Sequence, residues 1–208
     1  MTVRNPRVSS LPPKSVDCFK LNGILRTISI GLISCLLVLP GIGASQDRKH
    51  PNEVEAAFLR NFAHYVGWPP QVFADEQSPW VIGILGDDPF GDILEATFNN
   101  RVEKGRAFTV VRADSLEELP DCHILFIAYK SAAQRRWALD HMKNKPVLTV
   151  GDTPDFLQEG GVIQFKVDES VHMRINLDQA RAVALTIQTK MLEVSSDILE
   201  NGVIRKVR

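Results

Sequence analysis

The chain has 208 residues, 44% of them hydrophobic and 24% charged, with a formal net charge of −1. That supplies enough apolar material for a compact core. It excludes nucleic acid as the main partner, because phosphate binding needs a local excess of Lys and Arg, and the basic residues here are scattered.

Residues 1–45 read as a secretory signal. Arg4, Arg7, Lys14, Lys20 and Arg26 form a basic head against a single acid, Asp17. An apolar run from Ile28 to Leu39 follows, and small residues at Gly43 and Ser45 are spaced for a signal peptidase. The run is about a dozen residues, short of the roughly 20 that a membrane span needs, which weighs against a retained anchor. Leu32-Ile33-Ser34-Cys35 also resembles a lipobox, which would lipidate Cys35. The next four residues stay apolar, where a processed lipoprotein turns polar. The expected location is the periplasm. The leader holds five of the 24 basic residues and one of the 25 acidic ones, so the rest of the chain carries −5. It also takes Cys18 and Cys35 and leaves Cys122 as the one remaining thiol. An exported domain of this kind folds on its core, without an internal disulfide. Cys122 opens an apolar strand and reads as a buried small hydrophobe; an intermolecular disulfide is the other reading.

Residues 46–52 read as a linker, 53–198 as one domain and 199–208 as a solvated C-terminal tail. Asn52-x-x-Glu55 has the form of a capping pair. It opens a helix with an apolar face (Val54, Ala57, Phe58, Phe62, Tyr65, Val66) that stops near Gly67, before Trp68-Pro69-Pro70. Trp80–Leu85 is a buried strand, Asp92–Phe98 a short helix, and Phe108–Val111 and Ile124–Ala128 are further strands. A helix over Ser131–Met142 leads to a strand at Pro146–Val150. Val162–Val167 and His172–Ile175 form an antiparallel pair turned near Asp168-Glu169. Asn176 then caps a long last helix. Alternating strands and helices predict an α/β, three-layer αβα single domain with a mixed, mainly parallel sheet and a long C-terminal helix.

Chemistry-bearing motifs are sparse. Asp87-Asp88 follows the first strand at its carboxyl end, where open α/β sheets bind ligands. Paired acids there suit Mg²⁺ in a phosphorelay receiver, yet the strand at Ile124–Ala128 ends in Tyr129-Lys130, with no acceptor Asp. Gly83, Gly86 and Gly91 do not form the dinucleotide fingerprint. The histidines lack metal-ligand spacing, and no serine sits in a nucleophile elbow. Arg60 and Arg174 would hold an anion if they converge. Trp68 and Phe73 read as a core lid or a partner anchor. No cofactor and no enzymatic activity are expected.

Several of these segments carry a resemblance. Ala57–Pro69, Ile84–Gly91, Cys122–Phe126, Pro146–Phe156, Gly160–Ile163 and Arg174–Leu177 resemble, in order, the YfiR family of periplasmic regulators. The resemblance implies a non-catalytic protein that binds the periplasmic sensor region of an inner-membrane diguanylate cyclase and represses it, lowering cyclic-di-GMP and biofilm formation. It implies release by an OmpA-like outer-membrane lipoprotein, and a homodimer. Some relatives carry a Cys where this chain has Gly83, so Cys122 is left without a mate.

The residues expected to bind partner or ligand are Arg60, Trp68, Pro69, Asp87, Asp88, Phe90, Gly151, Asp152, Arg174 and Asn176. For Gly151 a positive φ is the competing expectation, and for Asn176 a helix cap. A small-ligand sensor is the alternative function. Its pocket would be walled by 87–91 and 151–156 if the two preceding strands lie side by side. A hydrolase using Asp87, Asp88 or Asp152 is a third.

Overall fold

The computed structural model describes residues 50–207. The signal-peptide reading of 1–45, most of the linker and the lipobox at Cys35 lie outside those residues. Among the described residues no helix is long and apolar enough to cross a membrane.

Helix α1 (Pro51–Tyr65) is a long amphipathic helix. His50, not Asn52, is its N-cap, and its Nδ1 accepts the Asn52 N–H at 3.4 Å. Pro51 at the first helical position is the signal that sets this earlier start, because its missing N–H costs nothing there. The helix buries Glu55, Ala56, Leu59, Phe62 and Ala63, a stripe at helical spacing that faces the sheet. It stops where Val66 turns extended and enters the short strand β1 (Val66–Gly67).

The main sheet is built from β2 (Trp80–Leu85), β3 (Val102–Glu103), β4 (Arg106–Ala113), β5 (Ile124–Ile127), β6 (Leu148–Gly151), β7 (Ile163–Val167), β8 (Val171–Asn176), β10 (Asp197–Glu200) and β11 (Val203–Lys206). Their spatial order is β11-β10-β8-β7-β6-β5-β2-β4-β3. The run β4-β2-β5-β6-β7 is parallel throughout, while the pairs β3–β4, β7–β8 and β10–β11 are antiparallel. The short strand β9 (Thr186–Ile187) pairs with β1 in a separate two-stranded sheet.

Strand alternation sorts the core into two layers. Ile82, Ile84, Ile124, Phe126, Leu148, Val150, Ile163 and Phe165 face α1, α2 (Ile93–Phe98) and α4 (Leu177–Ala182). Leu85, Leu125 and Ile127 face α3 (Ala132–Met142) together with Cys122 and Phe156. The three-layer α/β architecture and the mainly parallel, mixed sheet are as the alternation of elements predicts.

The long C-terminal helix is not. After Asn176 the chain makes only α4, then β9, then α5 (Thr189–Glu193). Ala184 adopts φ +58°, and the Leu185 N–H returns to the Ala180 carbonyl at 2.8 Å, a left-handed helix stop with alanine in the place glycine usually takes. Tertiary pairing overrides the local helix preference. Ile187 and Thr186 pair with Val66 and Gly67, and the Gln188 N–H reaches the Tyr65 carbonyl at 3.0 Å. Within the expected free tail, the described residues 199–207 differ: β10 and β11 close a hairpin along the sheet edge, with β11 exposed throughout.

Candidate functional site

The parallel order places the crevice of an open α/β sheet at the carboxyl ends of β2 and β5, whose exits lead to α2 on one face and α3 on the other. Here that crevice is filled. Gly86 sits at φ +93°, and a Cβ on it would lie 2.7 Å from the Tyr129 ring. The Tyr129 hydroxyl donates to the Asp114 carbonyl at 2.6 Å, which holds the ring in place. Lys130 pairs with Asp87 at 3.3 Å across the opening, both side chains in solvent. A lysine thus stands where a receiver domain would need its acceptor acid.

Asp88 is engaged structurally. One oxygen accepts the Phe90 N–H at 2.7 Å, and the other accepts Arg112 Nε at 2.6 Å. Arg112 also grips Glu95 of α2 through two nitrogens at 2.7 and 3.1 Å and the Gly91 carbonyl at 3.0 Å. These bonds hold the guanidinium well above its ordinary pKa and push the Glu95 carboxyl down. The network ties the β2–α2 loop to the sheet. Phe90 is a core residue, packed edge-on against Phe126 at 4.9 Å. The 87–91 and 151–156 loops do not line one pocket as neighbours, because β5 separates β2 from β6.

Gly151 ends β6 without a positive φ. Its need for glycine is steric: a Cβ would come within 2.5 Å of the buried Phe156 ring. Arg60 and Arg174 do not converge. Arg60 sits on α1, while Arg174 alternates with the core residues Met173 and Ile175 and so projects from the opposite face. There it pairs with Asp197 at 3.1 Å and Gln164 at 2.8 Å, and Gln164 in turn donates to the Thr153 and Pro154 carbonyls. Asn176 caps α4, its oxygen accepting the Gln179 N–H at 2.9 Å.

Trp68 and Pro69 lie at the opposite, amino edge of the strands. Trp68 packs on Trp80 at 5.0 Å, Phe73 on Trp80 at 4.9 Å, and Phe73 stacks on His123 at 4.5 Å. Arg106 lies 3.9 Å over the Phe73 ring, a cation–π contact. This cluster packs Trp68 and Phe73 against the amino ends of β2 and β5. Beneath it Pro69, Val72, Cys122, His123 and Lys145 line a cleft of about 330 Å³. His123 accepts the Val81 N–H through Nδ1 at 3.0 Å, which puts its proton on Nε2. Burial, reinforced by Arg106, lowers its pKa. Nε2 is buried and has no partner in hydrogen-bonding geometry.

Two features lie beyond sequence reasoning. One is this ordered aromatic–histidine stack. The other is Glu55, only 3% exposed, which the capping-pair motif places at a helix end and which lies instead on the core stripe beside Asp152. The Pro51 start is the available signal, since it moves Glu55 into the helix interior.

Among the described residues no three His, Cys, Asp or Glu side chains are grouped to hold a metal ion. No curated protein matches the chain. Residues 52–196, well over half of it, match the family described as YfiR/HmsC-like (DUF4154), over the same span that forms α1 through α5. The chain belongs to the YfiR/HmsC-like family.

Proposed function

We propose that this protein is a periplasmic repressor of an inner-membrane diguanylate cyclase, acting by contact with the cyclase's periplasmic sensor region and so lowering cyclic-di-GMP and biofilm formation. Membership of the family makes it a regulatory, non-enzymatic protein, and the family match over residues 52–196 is the observation that carries the rest. Asp88 and Arg174 are held in ion pairs with Arg112 and Asp197. Repression requires that the domain bind the inactive state of its partner more tightly than the active one. Release by an OmpA-like outer-membrane lipoprotein, and action as a homodimer, complete the proposal. Co-purification with a membrane diguanylate cyclase, and inhibition of its activity, test it. Deletion that leaves cellular cyclic-di-GMP unchanged overturns it.

One observation favours a second reading, a small-ligand sensor. The cleft under Pro69 is lined by the polar side chains of His123 and Lys145 together with apolar Val72, Cys122 and Val147. A thermal-shift screen with nucleotides and amino acids tests this, and the absence of any shift removes it.

A further inference from the structure

The main sheet ends on an open strand. β11 is last in the spatial order and pairs with β10 alone. Both strands lie beyond the family-matched span, which ends at residue 196. The hairpin is built rather than frayed. Asn201 and Gly202 take φ +54° and +71°, the mirror-image two-residue turn whose twist suits the flanking strands. Asp178 of α4 accepts both turn N–H groups, at 2.8 and 2.9 Å, and Arg181 of α4 donates to Glu200 at 2.6 Å.

Register decides which backbone groups face outward. Glu200 and Val203 close the turn, so Val203, Arg205 and Val207 direct their N–H and C=O groups to β10; the Val207 N–H reaches the Ser196 carbonyl at 2.8 Å. Ile204 and Lys206 direct theirs away from the sheet, where no strand among the described residues meets them. Ile204 and Lys206 also share one face of the strand, and Val203 and Arg205 the other. Val203 is 65% exposed and Ile204 48%, two β-branched side chains left in water on a strand already in place.

The acids nearest the two cations are engaged elsewhere. Asp197 stands opposite Lys206 but is bonded to Arg174 at 3.1 Å. Glu200 is bonded to Arg181 at 2.6 Å and leaves Arg205 at 3.6 Å. Each face of β11 therefore offers one apolar and one cationic side chain.

We propose that β11 docks an extended acidic segment of another protein by antiparallel strand addition, a segment in which two acidic residues precede two apolar ones. The acids then oppose Lys206 and Arg205, the apolar pair opposes Ile204 and Val203, and the main-chain bonds run through Ile204 and Lys206. A second copy of this chain is a poorer occupant. The antiparallel registers that satisfy its outward groups set Arg205 against Arg205, set Lys206 against Lys206, or leave both cations opposite uncharged residues. The cations that keep two such edges apart thus admit an acidic one. The edge is independent of the cyclase proposal.

The test is an NMR titration of protein expressed from the full chain with the capped peptide Thr-Glu-Glu-Val-Ile-Thr. Binding is expected at millimolar peptide, with hydrogen exchange slowed at the Ile204 and Lys206 amides and unchanged at Arg205. The peptide Thr-Lys-Lys-Val-Ile-Thr should bind about tenfold more weakly, and the double variant Arg205→Glu, Lys206→Glu should invert that preference. Ile204→Pro removes an outward N–H and spares the inner ladder, so it should weaken the acidic peptide by about tenfold. If that variant does not fold, N-methylation of the peptide decides: a methyl on its Val, which faces Ile204, abolishes binding, and one on its Ile does not. No binding of the acidic peptide, equal affinity for the two peptides, or protection away from β11 overturns the proposal. Sedimentation that shows self-association through β11, lost in Ile204→Pro, places a second copy on the edge and overturns it as well.

Discussion

Gly83 of β2 looks directly at Cys122: a Cβ built on Gly83 lies 3.3 Å from the Cys122 sulfur. This is close to the Cβ-to-sulfur span of a disulfide, so the relationship turns a missing side chain into a latent cross-link. Gly83→Cys is expected to oxidise spontaneously, joining the introduced thiol to Cys122. Closing a loop of roughly 40 residues would stabilise the fold by about 3–4 kcal/mol, less any strain from crowding. That crowding comes from Leu125 and Leu119, whose methyl carbons stand 3.1 and 3.2 Å from the same position. Thiol counting under denaturing conditions, with urea unfolding before and after reduction, checks both parts. Free thiols at both positions in the purified variant would refute the geometry.

With glycine at position 83, Cys122 is an isolated buried thiol. Burial first, and Asp121 second, push its pKa up to about 12. The thiolate is the reactive form, so alkylation at pH 8 is expected to be slow in the native protein and fast only in denaturant. Iodoacetamide labelling followed by mass spectrometry measures this. Rapid labelling of folded protein would show that the cleft beside His123 admits the reagent, and would reopen the disulfide-linked dimer.

Phe156 is clamped between two glycines. A Cβ on Gly151 would lie 2.5 Å from its ring and one on Gly161 nearer still, while the ring is fully buried in the α3-side core. It has nowhere to turn, so overpacking here takes the upper part of the usual range. Gly151→Ala or Gly161→Ala is expected to cost about 3 kcal/mol. Since neither glycine has a positive φ, the cost comes from the ring and not from the backbone. Phe156→Leu should therefore recover part of the loss in either background, and a double mutant no better than the sum of its singles would exclude the steric account.

The fold is legible where one pattern dominates. Trp80–Leu85, Ile124–Ile127 and the hairpin strand Val171–Asn176 all stand out as apolar or alternating runs. It is illegible where distant partners decide. Ala184 is a helix former by composition, and only the pairing of Ile187 with Val66 explains why the chain turns there. Val203–Lys206 looks like a tail because it carries two basic residues and buries neither face, as an exposed edge strand does. The candidate site suffers more. Asp88 and Arg174 look like free charges in the sequence, and their partners Arg112 and Asp197 stand 24 and 23 residues away, out of reach of any local motif. Glu55 is misplaced by the capping motif because a shift of the helix start turns a capping acid into a core acid. Asn176 is read correctly as a cap because that role is encoded within three residues.

Arg135 and Glu159 form the most buried ion pair among the described residues, with side chains 7% and 6% exposed. The contact is bidentate, Nε to Oε2 at 2.8 Å and Nη2 to Oε1 at 3.0 Å. The remaining nitrogen donates to the Tyr129 and Lys130 carbonyls at 3.1 and 2.7 Å. The pair therefore pins α3 both to the end of β5 and to the turn that precedes β7, the two segments flanking the filled crevice. Arg136 also approaches Glu159, at 3.6 Å, but its side chain is exposed and adds little. Removing one partner leaves the other charge buried, so Glu159→Ala is expected to cost about 3–4 kcal/mol, and Arg135→Ala a similar amount. Replacing both by apolar residues, Arg135→Met with Glu159→Leu, removes the charges together and should cost well under the sum of the singles. A double-mutant cycle by urea unfolding reads the difference. Strict additivity would mean that the two residues stabilise the fold separately, and that the carbonyl contacts of Arg135, rather than Glu159, hold α3 in place.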